Sequence, residues 1–289
     1  MAALSPDRAL KLGAACVLGG ELMLALMGAL IKYLSPDLGN SMIVFARNAL
    51  GLSILLPIML VREGPHCLKT QHIRFHLMRG IIGVSAMYCY FYSLGQLALT
   101  DAVLLKLTAP FFIPVIAFAW LREGTSLVTL LAITLGFCGV VVLLQPGEAR
   151  PEDYLFVSAG LAGAVLGATA KVTIRRMGVN EPSARIVVYF GIIATIVATP
   201  AAIINWQTPT PGQWLLLLAL AATATIGQLL ITTAYRIAPA GKIGQFTYSS
   251  VIFAVLLGWL FFSEPFTANQ ALGCVLIVGA GLINMRRSQ

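Results

Sequence analysis

Two charged residues stand inside stretches that are otherwise almost wholly apolar. Glu21 falls ten residues into a block near 11–34, and Lys106 lies in a block near 101–121, four residues before Pro110. An ionised side chain at mid-membrane depth costs several kcal/mol unless it faces a cavity or a partner. Glu21 can therefore bind a cationic group or carry a coupling proton, or it can pair internally with Arg47 or Lys106 and only set helix packing. Lys106, Thr108 and the main chain opened by Pro110 and Pro114 can together hold a carboxylate, because freed carbonyls are tolerated in a membrane only where protein or water satisfies them. The alternative for Lys106 is to snorkel to the surface.

Aromatic, amide and hydroxyl groups follow at helical spacing. Tyr88, Tyr92 and Gln96 share one face, as do Gln228, Thr232 and Tyr235, and Gln245, Tyr248 and Ser249 fall within one turn. Phenols deep in a membrane need partners, which predicts that these faces look inward and offer stacking surface and hydrogen bonds to an amphipathic amino acid. Hydrogen bonds that only hold helices together would produce the same pattern. Lys171, beside Arg175 and Arg176, reads as an orientation signal, and Arg47 as a partner for Glu21 or Asp37.

Other chemistries find little support. His72 and His76 form HxxxH near His66, but HExxH, GxSxG and a Walker-type loop are absent. The histidines read as solvated or lipid-facing residues of a basic loop. The five cysteines are widely spaced without CxxC, as small core residues are. The expectation is a protein that is not an enzyme and uses no metal or cofactor.

The elements that must position these residues follow from composition. Of 289 residues, 58% are hydrophobic and 10% charged, with mean hydropathy +0.88; soluble chains average about 25% charged. Apolar blocks near 11–34, 40–61, 73–97, 101–121, 126–145, 154–176, 183–204, 212–237, 242–261 and 268–285 predict ten helices, each close to the ~20 residues that cross a bilayer. The first block continues past Glu21 without a cleavage site and reads as a retained helix rather than a signal peptide. The net charge of +8 is scattered in twos and threes between the blocks, a pattern of membrane loops rather than of a nucleic-acid surface. With both termini cytoplasmic, fourteen of the nineteen basic residues fall inside, which predicts that orientation in a cell inner membrane.

The linker Gln145–Asp153 divides the chain into halves of residues 1–147 and 148–289. Shifting by 141 lays Trp120-Leu121-Arg122-Glu123 on Phe261-Phe262-Ser263-Glu264, and shifting by 143 lays Pro57 on Pro200. Two copies of five helices each must run in opposite senses, a plan that recurs in secondary transporters. Small residues crowd the sixth helix (Gly160, Gly163, Gly167), as close helix approach requires.

The five-plus-five layout, the stretch Thr100–Gly124 and its counterpart Ala240–Pro265, each ending at a glutamate corner, resemble the drug/metabolite transporter superfamily and its ten-helix carriers with two EamA-type repeats. Gly273 follows Glu264 at the family's nine-residue spacing, whereas Ala132 stands nine after Glu123, and Val251 replaces the proline that the first half has at Pro110. The resemblance implies an all-α membrane protein of two inverted five-helix repeats. It also implies a carrier that exports or exchanges small metabolites by alternating access, with the aromatic and neutral amino-acid exporters as the branch resembled. Uptake or exchange of a nucleoside, a vitamin or S-adenosylmethionine is the alternative, and an intramembrane enzyme is the rival class. The expected partners are a small-molecule substrate, the lipid bilayer, and a proton or counter-substrate; monomer and homodimer both stay open.

Overall fold

The computed structural model describes residues 6–34, 36–94, 105–144, 154–262 and 267–286. Among them there is no strand, and ten long helices follow the ten apolar blocks. They are α1 (Pro6–Leu34), α2 (Asn40–Glu63), α3 (Ile73–Leu94), α4 (Ala109–Leu121), α5 (Leu127–Leu144), α6 (Tyr154–Met177), α7 (Ser183–Ile204), α8 (Pro211–Ile237), α9 (Ser249–Phe262) and α10 (Ala268–Arg286). Six stretches are each long and apolar enough to cross a membrane: α1, α2, α6, α7, α8, and α9 with its lead-in from Ala240. Their limits are local: the Thr210–Gln213 capping box opens α8 with Pro211 in its first turn, and Gly64 at φ 71° ends α2.

Two helices depart from expectation. The fourth does not run unbroken from 101: residues 105–106 are helical, a turn follows at 107–108, and α4 starts only at Ala109. Pro110 lacks an N–H, so it fits the first turn of a new helix better than the interior of an old one. The expected ninth helix is likewise broken into a single turn at Ala240–Ile243, a 3-10 segment at Gly244–Tyr248, and α9 itself. No proline is involved there. Gly241 and Gly244 instead lie close against Pro114 and Ile113, so the two irregular segments pack on one another's helices.

The packing repeats itself in the two halves. α1 packs along α8 and α9 as α6 packs along α3 and α4; α2 meets α7, and α5 meets α10. Each pairing maps onto another, or onto itself, when a helix is exchanged for the one five places on, which is how two copies of a five-helix unit pack about a pseudo-twofold axis. Close approaches follow the same rule: a Cβ on Gly20 would meet Ile231 of α8 at 2.7 Å, and one on Gly163, 143 residues later, would meet the Ala86 carbonyl oxygen of α3 at 3.2 Å. The largest buried apolar cluster runs between α1, α4, α6, α7 and α8 through Val17, Ile113, Val172, Ile186 and Ile231.

Candidate functional site

Against this apolar background one polar cluster sits at the join of the two halves. Glu21 is only 6% exposed. Its carboxylate faces the ammonium groups of Lys171 and Lys106 and the hydroxyl of Thr247. Lys171, on α6, donates from Nζ to Thr247 Oγ1 at 3.2 Å and lies 5.5 Å from the ring centroid of Tyr235 on α8. Neither of the sequence-based partners of Glu21, Arg47 and Lys106, forms an ion pair with it among the described residues; the Lys106 charge acts on it only after that of Lys171, which the sequence read as an orientation signal. The irregular backbone before α9 causes this: the 3-10 segment turns Thr247 toward α1 and α6, where a regular helix would carry it round with its neighbours.

Lys106 and Thr247 are equivalent residues of the two halves, since the shift of 141 superimposes them. Both stand in the irregular lead-in to a helix, and both address Glu21. Lys106 is exposed, with Nζ 5.1 Å from the Tyr90 centroid. Glu21 itself has no such counterpart, because position 164 is a buried alanine. The polar cluster is therefore asymmetric inside a symmetric frame.

The remaining expected site residues separate into three groups. Thr232, Tyr235, Gln245 and Tyr248 are buried, and the Thr232 and Tyr248 hydroxyls, the Tyr235 hydroxyl and both amide atoms of Gln245 make no hydrogen bond among the described residues. Polar atoms left so are costly in a dry interior, and they are what a bound molecule or ordered water would satisfy. Thr108 and Ser249 are spent locally, donating to the Leu105 and Phe246 carbonyls at 2.6 and 2.7 Å; both hydroxyls close backbone turns rather than reach for a ligand. Gln228 accepts from Arg79.

Tyr88 and Tyr92 correct the expectation of an inward tyrosine face. They are 41% and 52% exposed and continue the exposed stripe of Ile73, Leu77 and Ile81, opposite the face on which Ala86 and Cys89 pack against α6. Tyr92 stands against the Phe156 ring of α6, at 5.3 Å. Helix periodicity correctly placed the two on one face, but the seam with α6 is set by small residues, which lie on the other side. Tyr90, two residues from each, is the tyrosine that reaches Lys106. Gln96 lies outside the described residues.

The face where α3 and α7 begin carries a network of charged contacts between the halves. Glu123 accepts from Arg175 Nε at 2.7 Å and from the Ala240 amide at 3.2 Å. Glu181 accepts from Thr70 at 2.6 Å and from Arg185 at 3.0 Å, with His76 Nε2 at 3.4 Å. Burial works against the charge of Glu181, but the bonds from Thr70 and Arg185 and the Arg185 charge outweigh it and hold the carboxyl below its ordinary range. His76 is thus neither solvated nor lipid-facing: it is 1% exposed and stacks on Tyr189 at 4.4 Å. No group of three potential metal ligands occurs among the described residues.

A buried carboxylate beside a half-buried lysine between two pseudo-symmetric halves, with unsatisfied hydroxyls and amides around them, sets this interior apart from that of an apolar bundle. The profile of the EamA-like transporter family matches residues 11–145 and again 154–286. The chain belongs to this family. Each match spans one five-helix copy, as the packing of the helices requires. Among similar proteins, the pseudopaline exporter of Pseudomonas aeruginosa is 31% identical over 272 residues, 94% of this chain and 95% of the relative. The riboflavin transporter of Vibrio cholerae is 25% identical over 92% of the chain and 90% of its own, and the S-adenosylmethionine uptake transporter of Rickettsia bellii 26% over 87% and 85%. A solved crystal structure, 20% identical, superposes with a TM-score of 0.82 over 97% of the chain and 98% of its own, which establishes the shared fold. This member of the EamA-like family is a multi-pass membrane transporter and not an enzyme. The relatives do not single out an amino-acid exporter branch.

Proposed function

We propose that the protein is a secondary carrier that exports a small amphipathic metabolite of the amino-acid class by alternating access, with Glu21, Lys171, Thr247 and Tyr235 as its central binding and coupling group. The observation that carries this reading is the Glu21–Lys171–Thr247 cluster, which joins α1 of one half to α6 and the α9 lead-in of the other. A rocking motion of the halves must change these contacts, so a proton or cationic group arriving at Glu21 biases which state is populated. The export direction is supported by the likeness to the pseudopaline exporter over nearly the whole of both chains; the basic-residue bias supports cytoplasmic termini in an inner membrane. Uptake of a vitamin or of S-adenosylmethionine is the second reading, favoured by the riboflavin and S-adenosylmethionine relatives.

The test is flux into and out of proteoliposomes for amino acids, nucleosides, riboflavin and S-adenosylmethionine, with and without a pH gradient. For the carried substrate, Glu21→Gln is expected to lower flux at least about tenfold or to abolish its pH dependence. Wild-type flux and pH dependence in the variant would reassign Glu21 to packing alone. Riboflavin or S-adenosylmethionine moving to the exclusion of amino acids would favour the second reading.

A further inference from the structure

A second polar centre lies between α2, α3, α7 and α8, away from the Glu21 cluster. Arg79 is 7% exposed; its Nη2 donates to Gln228 Oε1 at 3.3 Å, and its guanidinium stands 4.1 Å over the Phe190 ring. Arg47 comes in from α2, with Nη1 at 3.8 Å from Met87 Sδ, close enough for its charge to act on that of Arg79. Arg47 and Gln228 line a cavity of ≈ 30 Å³ together with Asn48 and Thr225; the Asn48 amide and the Thr225 hydroxyl are bonded to the Val44 and Ala221 carbonyls, and Arg79 adjoins the cavity through its bond to Gln228. Among the described residues no carboxylate stands within ion-pair distance of either arginine. Glu21, which the sequence offered as a partner for Arg47, faces lysines instead.

Arg79 is buried and Arg47 half-buried, so the two like charges repel with little water between them to screen the repulsion. Stacking on Phe190 offsets part of this for Arg79, but a methionine sulfur is too weak an acceptor to do the same for Arg47. The arrangement lacks an anion. Guanidinium forks match the two oxygens of a carboxylate, and the cavity, about twice the space one water needs, suits such a head group rather than a whole metabolite.

We propose that Arg47 and Arg79, with Gln228, form an anion subsite that takes a carboxylate of the transported molecule. This rests on the carrier reading and deepens it.

Binding to the purified full-length protein in detergent tests the subsite without transport. Glutarate is the probe and its neutral isostere glutaramide the control, read by calorimetry and by melting temperature. The expected result is that glutarate binds and raises the melting temperature while glutaramide does neither. Arg47→Lys and Arg79→Lys, which keep the charge but lose the fork, weaken glutarate at least about tenfold, whereas Tyr92→Ala leaves it unchanged. Glutamine at either position abolishes binding; should those variants not insert, the lysine variants decide. No glutarate binding, equal binding of both probes, or wild-type affinity in the lysine variants overturns the subsite. A protein that obeys these rules yet moves no solute would overturn the carrier reading and keep the subsite; flux by a protein blind to glutarate would do the opposite.

Discussion

Tyr235 and Tyr92 look alike in the sequence, each a tyrosine in an apolar helix with a polar residue a turn away, and the fold gives them opposite surroundings. Tyr235 is fully buried beside Lys171 with its hydroxyl unpaired, while Tyr92 is half exposed against Phe156. Tyr235→Phe, which removes only the hydroxyl, is expected to lower substrate flux at least about threefold, and Tyr92→Ala to leave it within about twofold; rates in proteoliposomes at equal protein content check both. Glu181 makes a different prediction, because its folded carboxyl titrates below the unfolded value of about 4.3. A depressed carboxyl contributes stability that is fully present above the unfolded value and is lost as pH falls through the folded one. Glu181→Gln is therefore expected to cost about 1–3 kcal/mol at pH 7 and to remove part of the acid sensitivity below about pH 4. Melting curves of both proteins from pH 3 to 7 measure this. A difference that persists unchanged at pH 3 would count against the ionised bonds to Thr70 and Arg185 as its source.

Among the elements, the broken segments carry the polar residues and the straight helices carry the contacts that hold the frame. Lys106 and Thr247 owe their position to interruptions ahead of α4 and α9. The first interruption was legible in Pro110; the second was not, because Val251 stands in place of proline and the break arises from packing against Pro114 and Ile113. The α5–α10 contact is the tightest of the straight pairs for which a backbone atom sets the limit: a Cβ on Gly139 would meet the Gly273 carbonyl oxygen at 2.9 Å. A main-chain oxygen cannot swing aside as a side chain can, so Gly139→Ala must push the two helices apart. The expected cost is about 1–3 kcal/mol, read as a lower melting temperature of the purified protein. Gly28→Ala is the control, since no atom lies within 4 Å of its added carbon.

The whole molecule is a symmetric frame around an asymmetric interior. Exchange of each helix for the one five places on maps the main helix pairings onto one another or onto themselves, which suits a pair of states related by rocking one half on the other. With no nucleotide-binding loop in the sequence, flux should persist in vesicles that contain no nucleotide and should be driven by gradients alone; flux that requires ATP would contradict it. The sequence by itself determined the ten helices, the duplication and the carrier family, because an apolar length and a repeat are written along one dimension and the bilayer imposes them on any arrangement. It also singled out Glu21, since charge scarcity alone makes such a residue conspicuous. Only the tertiary structure decided its partners. Lys171, Arg47 and Arg79 resemble orientation signals or stray charges in the chain, and they take their roles from residues 40 to 149 positions away: Thr247, Met87 and Gln228. Helical periodicity tells which side chains share a face, but which face turns inward is set by where glycines let neighbouring helices approach, and that is a property of pairs.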